Sequence, residues 1–221
     1  MTMSLSYASS GSQMKRIRIG VLASGGGTNL QCIIDACERG EIDGDVVVVI
    51  SNIPDAFALE RARKHRIDAF SFPHKDVTRE QHEADIIACL EQHKVDLVCL
   101  AGYLRMLTPV FINKYAGRLM NMHPALLPSF GGKGMHGLKV HQAVLDHGCK
   151  VSGCTIHFVT LEVDGGPIIL QKAVPVLEGD TAETLQERVL KEEHKLYPRA
   201  VELFAQAKLK PDGRRIRVLE T

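Results

Sequence analysis

The chain has 221 residues, 45% apolar and 24% charged, with 27 basic against 26 acidic side chains and a net charge of +1. That length suits one domain with a sizeable core, and the even balance gives no general attraction to nucleic acid or to an anionic membrane, so any anion site is local. No run approaches the ~18 apolar residues of a membrane span.

Residues 1–14, MTMSLSYASSGSQM, lack the basic-then-apolar plan of a signal peptide and read as a disordered leader. From Arg16 short β-branched runs alternate with helical ones, the pattern of a parallel sheet with crossover helices. RIRIGVLA (16–23) is the first strand, TNLQCIIDACERG (28–40) a helix closed by Gly40, and DVVVVISN (45–52) a strand apolar enough to be central. AFALERARKH (56–65) reads as a helix, DAFSFP (68–73) as a short strand ended by Pro73, REQHEADIIACLEQHK (79–94) as an amphipathic helix and VDLVCLAGY (95–103) as a buried strand. Four strands and three crossovers make residues 15–117 a doubly wound, Rossmann-like half.

Past residue 117, RLMNMHP (118–124) is a further strand, and SFGGKGMHG (129–137) is a glycine-rich loop without periodicity, expected to be mobile. A helix follows at 138–147. KVSGCTIHFVT (150–160) and GPIILQKAVPV (166–176) flank LEVDGG, an antiparallel hairpin signal with Asp-Gly at its tip. Thr181 is the N-cap of a long helix running to about 208, with Pro198 the expected point of a break. The tail at 210–221, KPDGRRIRVLET, reads as polar and loose, RIRVL being the stretch able to pair as an edge strand. The fold class is therefore α/β: a Rossmann-like, doubly wound, mostly parallel sheet with an antiparallel C-terminal hairpin and a long C-terminal helix. One domain is expected over 15–209, with its second half at 118–209. The six cysteines contain no C-x-x-C pair, and four lie in apolar helix or strand patterns, which points to free thiols in a reduced, cytoplasmic compartment.

The first chemical signal is SGGGTNL (24–30), between the first strand and its helix. Glycines allow close backbone approach, and unpaired amides at a helix start favour an anion, here a phosphate held by Gly26, Gly27, Thr28 and Asn29. A plain tight turn is the alternative. The dinucleotide fingerprint wants a small residue where Leu30 stands and an acid where Ser51 and Asn52 end the second strand, which argues against NAD. No lysine completes a Walker A motif, so a monophosphate is the best remaining choice.

The second signal is NMHPALLP (121–128). The Asn121 amide can donate to a developing oxyanion, and His123 can donate or accept a proton near neutral pH, a pairing suited to a tetrahedral intermediate. No nucleophile elbow is present, so the nucleophile belongs to the substrate. Asp164, at the hairpin tip, is the candidate partner, since a carboxylate beside an imidazole favours its protonated form and can pass protons through water. Its plain reading is a turn residue, and spacing alone leaves its distance from His123 open. His65, His74, His82 and His93 follow no metal-ligand spacing, and no metal is expected.

Taken together, ASGGGTNLQ, LAGYLRML, LMNMHPALLPSF, HFVT with VDGGPIILQ, and EEHKLYP stand in the order and spacing of the glycinamide ribonucleotide transformylases, folate-dependent formyltransferases of purine synthesis. The resemblance covers residues 16 to about 209. It implies that Asn121, His123 and Asp164 are the catalytic trio and that Gly27, Thr28 and Asn29 hold the ribonucleotide phosphate. It further implies that Glu193 contacts ribose and amine, that Leu104, Arg105, Met106 and Leu107, with Asn121, wall the folate pocket, and that Arg79 faces the folate. Leu190 departs from the family, standing where a polar residue near the phosphate is frequent. The implied co-substrate is 10-formyltetrahydrofolate, and the implied acceptor is glycinamide ribonucleotide. Its amine, titrating near the α-amino value of about 8, is partly neutral and nucleophilic without a strong base. The alternatives are a formyltetrahydrofolate hydrolase, with water as nucleophile, and a non-catalytic nucleotide-binding module. A tRNA formyltransferase needs a further domain that this length and charge do not supply. A monomer or homodimer with no nucleic-acid or membrane partner is expected.

Overall fold

The structure is a computed structural model that describes residues 16–219; the leader expected at 1–14 lies outside the described residues. The elements run β1 (Ile17–Ala23), α1 (Thr28–Glu38), β2 (Gly44–Ser51), α2 (Phe57–Lys64), β3 (Asp68–Ser71), α3 (Arg79–Gln92), β4 (Leu97–Leu100), α4 (Pro109–Lys114) and β5 (Leu119–His123). They continue with α5 (Leu138–Asp146), β6 (Val151–Phe158), β7 (Ile168–Pro175), α6 (Ala182–Ala205), β8 (Leu209–Asp212) and β9 (Arg215–Val218). Among the described residues the strands form one sheet in the order β3-β2-β1-β4-β5-β6-β7-β9-β8.

The first five strands pair in parallel, as the continuous apolar runs of β1, β2 and β4 lead one to expect. Helices cover both faces. On one, Ile33 and Ile34 of α1 and Leu185, Val189 and Val201 of α6 pack with Val21, Met120 and Ile156; on the other, Ile86 and Leu90 of α3 and Phe111 of α4 cover Leu22, Val48 and Val98. The strand order reverses between β1 and β4. Such a reversal opens a crevice at the carboxyl ends of the two strands, and the loops leaving them, at 24–27 and 101–108, are the ones that carry the motifs.

β6 turns back antiparallel against β5, with Asn121 opposite His157 and His123 opposite Thr155, and pairs antiparallel with β7 as expected. Three features differ from the sequence reading. The short helix α4 follows the apolar strand signal, with Thr108 as its N-cap and Pro109 at its first turn. α6 runs unbroken through Pro198, because Tyr197, Ala200 and Val201 around it are fully buried and packing outweighs one lost main-chain bond. The tail is not loose: β8 and β9 form a hairpin joined to β7 at Ile168 and Arg215, its polar side chains lying exposed on the sheet edge. All six cysteines are free thiols.

Candidate active site

A cavity of about 770 Å³ occupies the crevice. Its wall brings together Gly26, Gly27, Thr28, Asn29, Leu104, Arg105, Met106, Leu107, Asn121, His123, Asp164 and Glu193. Arg79 is not among the lining residues; it is the exposed first residue of α3.

One end of the cavity is the glycine loop. Gly27 caps α1 in the left-handed region at φ 68 with no side-chain cap, so the first amides of α1 stay without a helical partner. A side chain at Gly27 would place its Cβ 2.8 Å from that of Ala58, so only glycine fits. α2 braces the loop from behind: Ala58 N–H donates to the Gly25 carbonyl at 3.0 Å, and Arg61 Nε donates to the Gly26 carbonyl at 2.7 Å. No acidic residue occupies the first turn of α1, and Arg61 adds positive charge, as an anion requires. Beside the loop, Asn29 Nδ2 donates to Glu193 at 2.8 Å. Burial pushes the Glu193 carboxyl above its ordinary value, partly offset by that hydrogen bond. The Asn29 side-chain oxygen, Oδ1, is buried with no partner among the described residues.

The trio lies where β5, β6 and the 159–167 loop converge. His123 is 3% exposed, and its Nδ1 stands 3.6 Å from Asp164 Oδ2. Its Nε2 is 2.8 Å from the Phe130 carbonyl oxygen. Asp164 Oδ1 stands 3.7 Å from His157 Nε2, so one carboxylate faces two imidazoles. His157 Nδ1 is 3.0 Å from the Phe158 carbonyl; since a carbonyl only accepts, that nitrogen carries the proton. Burial also pushes the His157 pKa down, which favours the neutral ring, whose Nε2 accepts from Asn121 Nδ2 at 3.2 Å. This fixes the amide's orientation and leaves a second Asn121 N–H for the cavity.

His157 is the residue sequence reasoning missed. Its signal was the β5–β6 pairing, which sets it opposite Asn121; without that register it is one more side chain in an apolar strand. His141 was missed too. It lines the cavity, is 1% exposed, and its pKa is pushed down to about 4 by burial and then by His123. Among the described residues no cluster of three or more His, Cys, Asp or Glu side chains is arranged to hold a metal ion, and no helix is long and apolar enough to cross a membrane.

The loop at 104–107 is pinned at both ends. Leu104 N–H donates to Ser24 Oγ at 2.9 Å. Thr108 N–H donates to the buried Glu83 carboxylate at 2.8 Å, with the Thr108 hydroxyl donating to its other oxygen. The result is one end suited to an anion, one apolar wall and, between them, an amide, an imidazole and a carboxylate suited to stabilising an oxyanion and moving a proton.

The chain is similar to proteins already known. The chain is similar to the phosphoribosylglycinamide formyltransferase of Escherichia coli (strain K12), 44% identical over 199 residues that cover 88% of this chain and 90% of that one. It is 42% identical over 200 residues to the chloroplastic phosphoribosylglycinamide formyltransferase of Arabidopsis thaliana, covering 89% of this chain and 68% of the relative. Among solved structures, glycinamide ribonucleotide transformylase 1 from Symbiobacterium toebii superposes with a TM-score of 0.90 at 50% identity, over 94% of this chain and 96% of the other. A formyltetrahydrofolate deformylase from Pseudomonas syringae pv. tomato superposes at 0.85 with 27% identity, over 93% of this chain and 66% of its own. The model of the family described as formyl transferase matches residues 17–201, the span that builds every wall of the cavity, and the chain belongs to that family.

Proposed function

We propose that this enzyme transfers the formyl group of 10-formyltetrahydrofolate to the amine of glycinamide ribonucleotide, a step of purine biosynthesis. The observation that carries the reading is the joining of an uncapped, positively braced glycine loop and the Asn121–His123–Asp164 group in one cavity. The loop at 26–29 holds the phosphate, and Glu193 faces the ribose and amine. Leu104, Arg105, Met106 and Leu107 wall the folate end. Arg79, outside that wall, meets only a part of the folate that projects beyond the cavity. Buried free thiols fit a reducing, cytoplasmic setting.

The chemistry follows from the side chains. The neutral amine attacks the formyl carbon, and the carbonyl electron pair moves to oxygen. Asn121, oriented by His157, donates its free N–H to that oxyanion, and protonated His123 supports it from Nδ1 with the Asp164 carboxylate balancing the charge. A proton then leaves the attacking nitrogen through Asp164 and a bound water and reaches N10 as the carbon–N10 bond breaks. The new amide and tetrahydrofolate depart.

The test follows formyl-donor consumption with and without the ribonucleotide in wild type, Asn121→Ala, His123→Ala and Asp164→Asn. Consumption that requires the ribonucleotide and collapses in all three variants is expected. Consumption without it would assign the deformylase chemistry of the Pseudomonas neighbour, and ribonucleotide binding with no consumption would leave a binding module.

A further inference from the structure

We infer that the main chain of residues 130–132 sets which ring nitrogen of His123 works: the Phe130 carbonyl holds the proton on Nε2, the Gly132 amide steadies Asp164, and Nδ1 is left as the acid–base atom. Only the catalytic consequence rests on the function proposed above; the tautomer is a property of the free protein.

His123 Nε2 lies 2.8 Å from the Phe130 carbonyl oxygen. A carbonyl accepts and cannot donate, so Nε2 carries hydrogen in both the neutral and the charged ring. Nδ1 is then the atom that gains and loses the proton, and it is the atom facing Asp164. Gly132 N–H donates to Asp164 Oδ2 at 2.8 Å, the same oxygen that faces Nδ1. One short stretch therefore orients both members of the pair, through a carbonyl on one side and an amide on the other.

The backbone there is held in an uncommon shape. Phe130 at φ 53 and Asp164 at φ 53 are non-glycine residues in the left-handed region, and Gly132 sits at φ 99. Each left-handed side-chain residue costs roughly 1–2 kcal/mol, and such strain persists only where surroundings over-determine it. The surroundings are on view. The Phe130 ring meets His147 edge-on at 5.3 Å and packs against the main core. The preceding turn is tied to β6 and β7: Thr155 Oγ1 donates to the Ala125 carbonyl at 2.7 Å and accepts from Leu127 N–H at 3.0 Å, while Gln171 Nε2 donates to the Leu127 carbonyl at 2.9 Å. The ring is thus the anchor that aims the carbonyl. Phe130 and Gly132 are positioning residues, since neither supplies a side chain to the reacting atoms.

The test is long-range proton–nitrogen correlation NMR on the whole protein labelled with nitrogen-15 histidine, above the titration of the ring, with kinetics alongside. The wild type should show His123 as a single tautomer with hydrogen on Nε2. Phe130→Gly, which adopts φ 53 freely but has no ring to anchor, should give mixed tautomers and about a tenfold lower kcat, the lower end of what losing an orienting partner costs, with the KM for the ribonucleotide unchanged. Phe130→Tyr keeps the ring and should restore both. Gly132→Ala, strained by its backbone with open space for its Cβ, should lower kcat comparably. Gly179→Ala, equally left-handed at φ 79 but remote, should leave tautomer and kcat as in wild type. A wild-type ring protonated on Nδ1, or averaging between nitrogens, overturns the inference without any variant having to fold. An unchanged tautomer and kcat in Phe130→Gly does the same. Absence of formyl transfer would instead strike the proposed function and leave the NMR result standing.

Discussion

Replacing Glu193 by glutamine should make the protein more stable and a worse enzyme. Glu193 is 7% exposed, and its one side-chain partner among the described residues is Asn29 Nδ2 at 2.8 Å. Burial raises its pKa above the ordinary 4.5, and the Asn29 bond offsets only part of this. The folded protein therefore keeps the proton to higher pH than the unfolded chain does. Stability falls as pH rises from about 4.5 through the raised folded value, and the deficit persists above it. Glutamine carries no charge, fits the same space and still accepts from Asn29. Recovering about 1 kcal/mol, the lower end of the penalty for a partly satisfied buried group, raises Tm by about 2–4 °C in a domain of this size. The same change removes the charged acceptor proposed for the ribonucleotide, worth about 1.5–3 kcal/mol, or roughly a 10- to 100-fold rise in its KM. Thermal melts without ligand at pH 7.5 and pH 4.5, with steady-state kinetics at pH 7.5, decide the matter. A variant that melts below wild type at pH 7.5, or gains equally at both pH values, would refute the burial argument; an unchanged KM would remove Glu193 from the binding site.

Other perturbations separate the remaining parts of the molecule. Asn121→Ala is expected to cut kcat by about 10²–10³ with little change in either KM, read from initial rates. Gly27→Ala forces a Cβ against Ala58 in a left-handed residue; it should weaken ribonucleotide binding by calorimetry and lower Tm, while folate binding to the other end of the cavity persists. Tyr197 lies buried with its hydroxyl 3.1 Å from the carbonyls of Leu100 and Met120, so Tyr197→Phe should cost about 1–3 kcal/mol in denaturant unfolding. Asp180 is held well below the usual carboxylate range, chiefly by its hydrogen bonds to Arg188, with the Leu177 amide and Thr184 hydroxyl adding to it. That contribution is present above the unfolded value of 3.8 and lost as pH falls through the lowered folded one, so Asp180→Asn should be less stable at pH 7 and converge on wild type in strong acid.

The glycine loop was legible in the sequence because strand, glycines and helix start follow one another within a dozen residues, and each part has a local physical meaning. Asn121 and His123 were legible by their spacing, which puts both side chains on one face of a strand. Asp164 was visible as a turn residue, but its distance to His123 depends on how the 159–167 loop returns over β5 and β6, a non-local matter. His157 was hidden for the same reason. Phe130 acts through a carbonyl, which every residue possesses, so no side-chain pattern marks it. RIRVL was legible as a stretch able to pair at the edge because charged and apolar residues alternate in it, whereas its partner β8, LKPD, carries no such alternation. Arg79 shows the opposite limit: a motif position can be identified without its side chain standing in the cavity wall.

The hydrogen bond between Asn29 and Glu193 joins residues 164 positions apart. A chain emerging from the ribosome makes the glycine loop early, yet that loop lacks its acidic neighbour until α6 has been synthesised and docked. Contacts of such long sequence separation form late and slowly. Catalytic competence then waits on α6, and a product cut short before it would lack both Glu193 and the Tyr197 hydroxyl that joins the Leu100 carbonyl of β4 to the Met120 carbonyl of β5. Recovery of activity after dilution from denaturant should accordingly lag behind recovery of the parallel sheet, and the interval between them measures how long α6 takes to close the floor of the site.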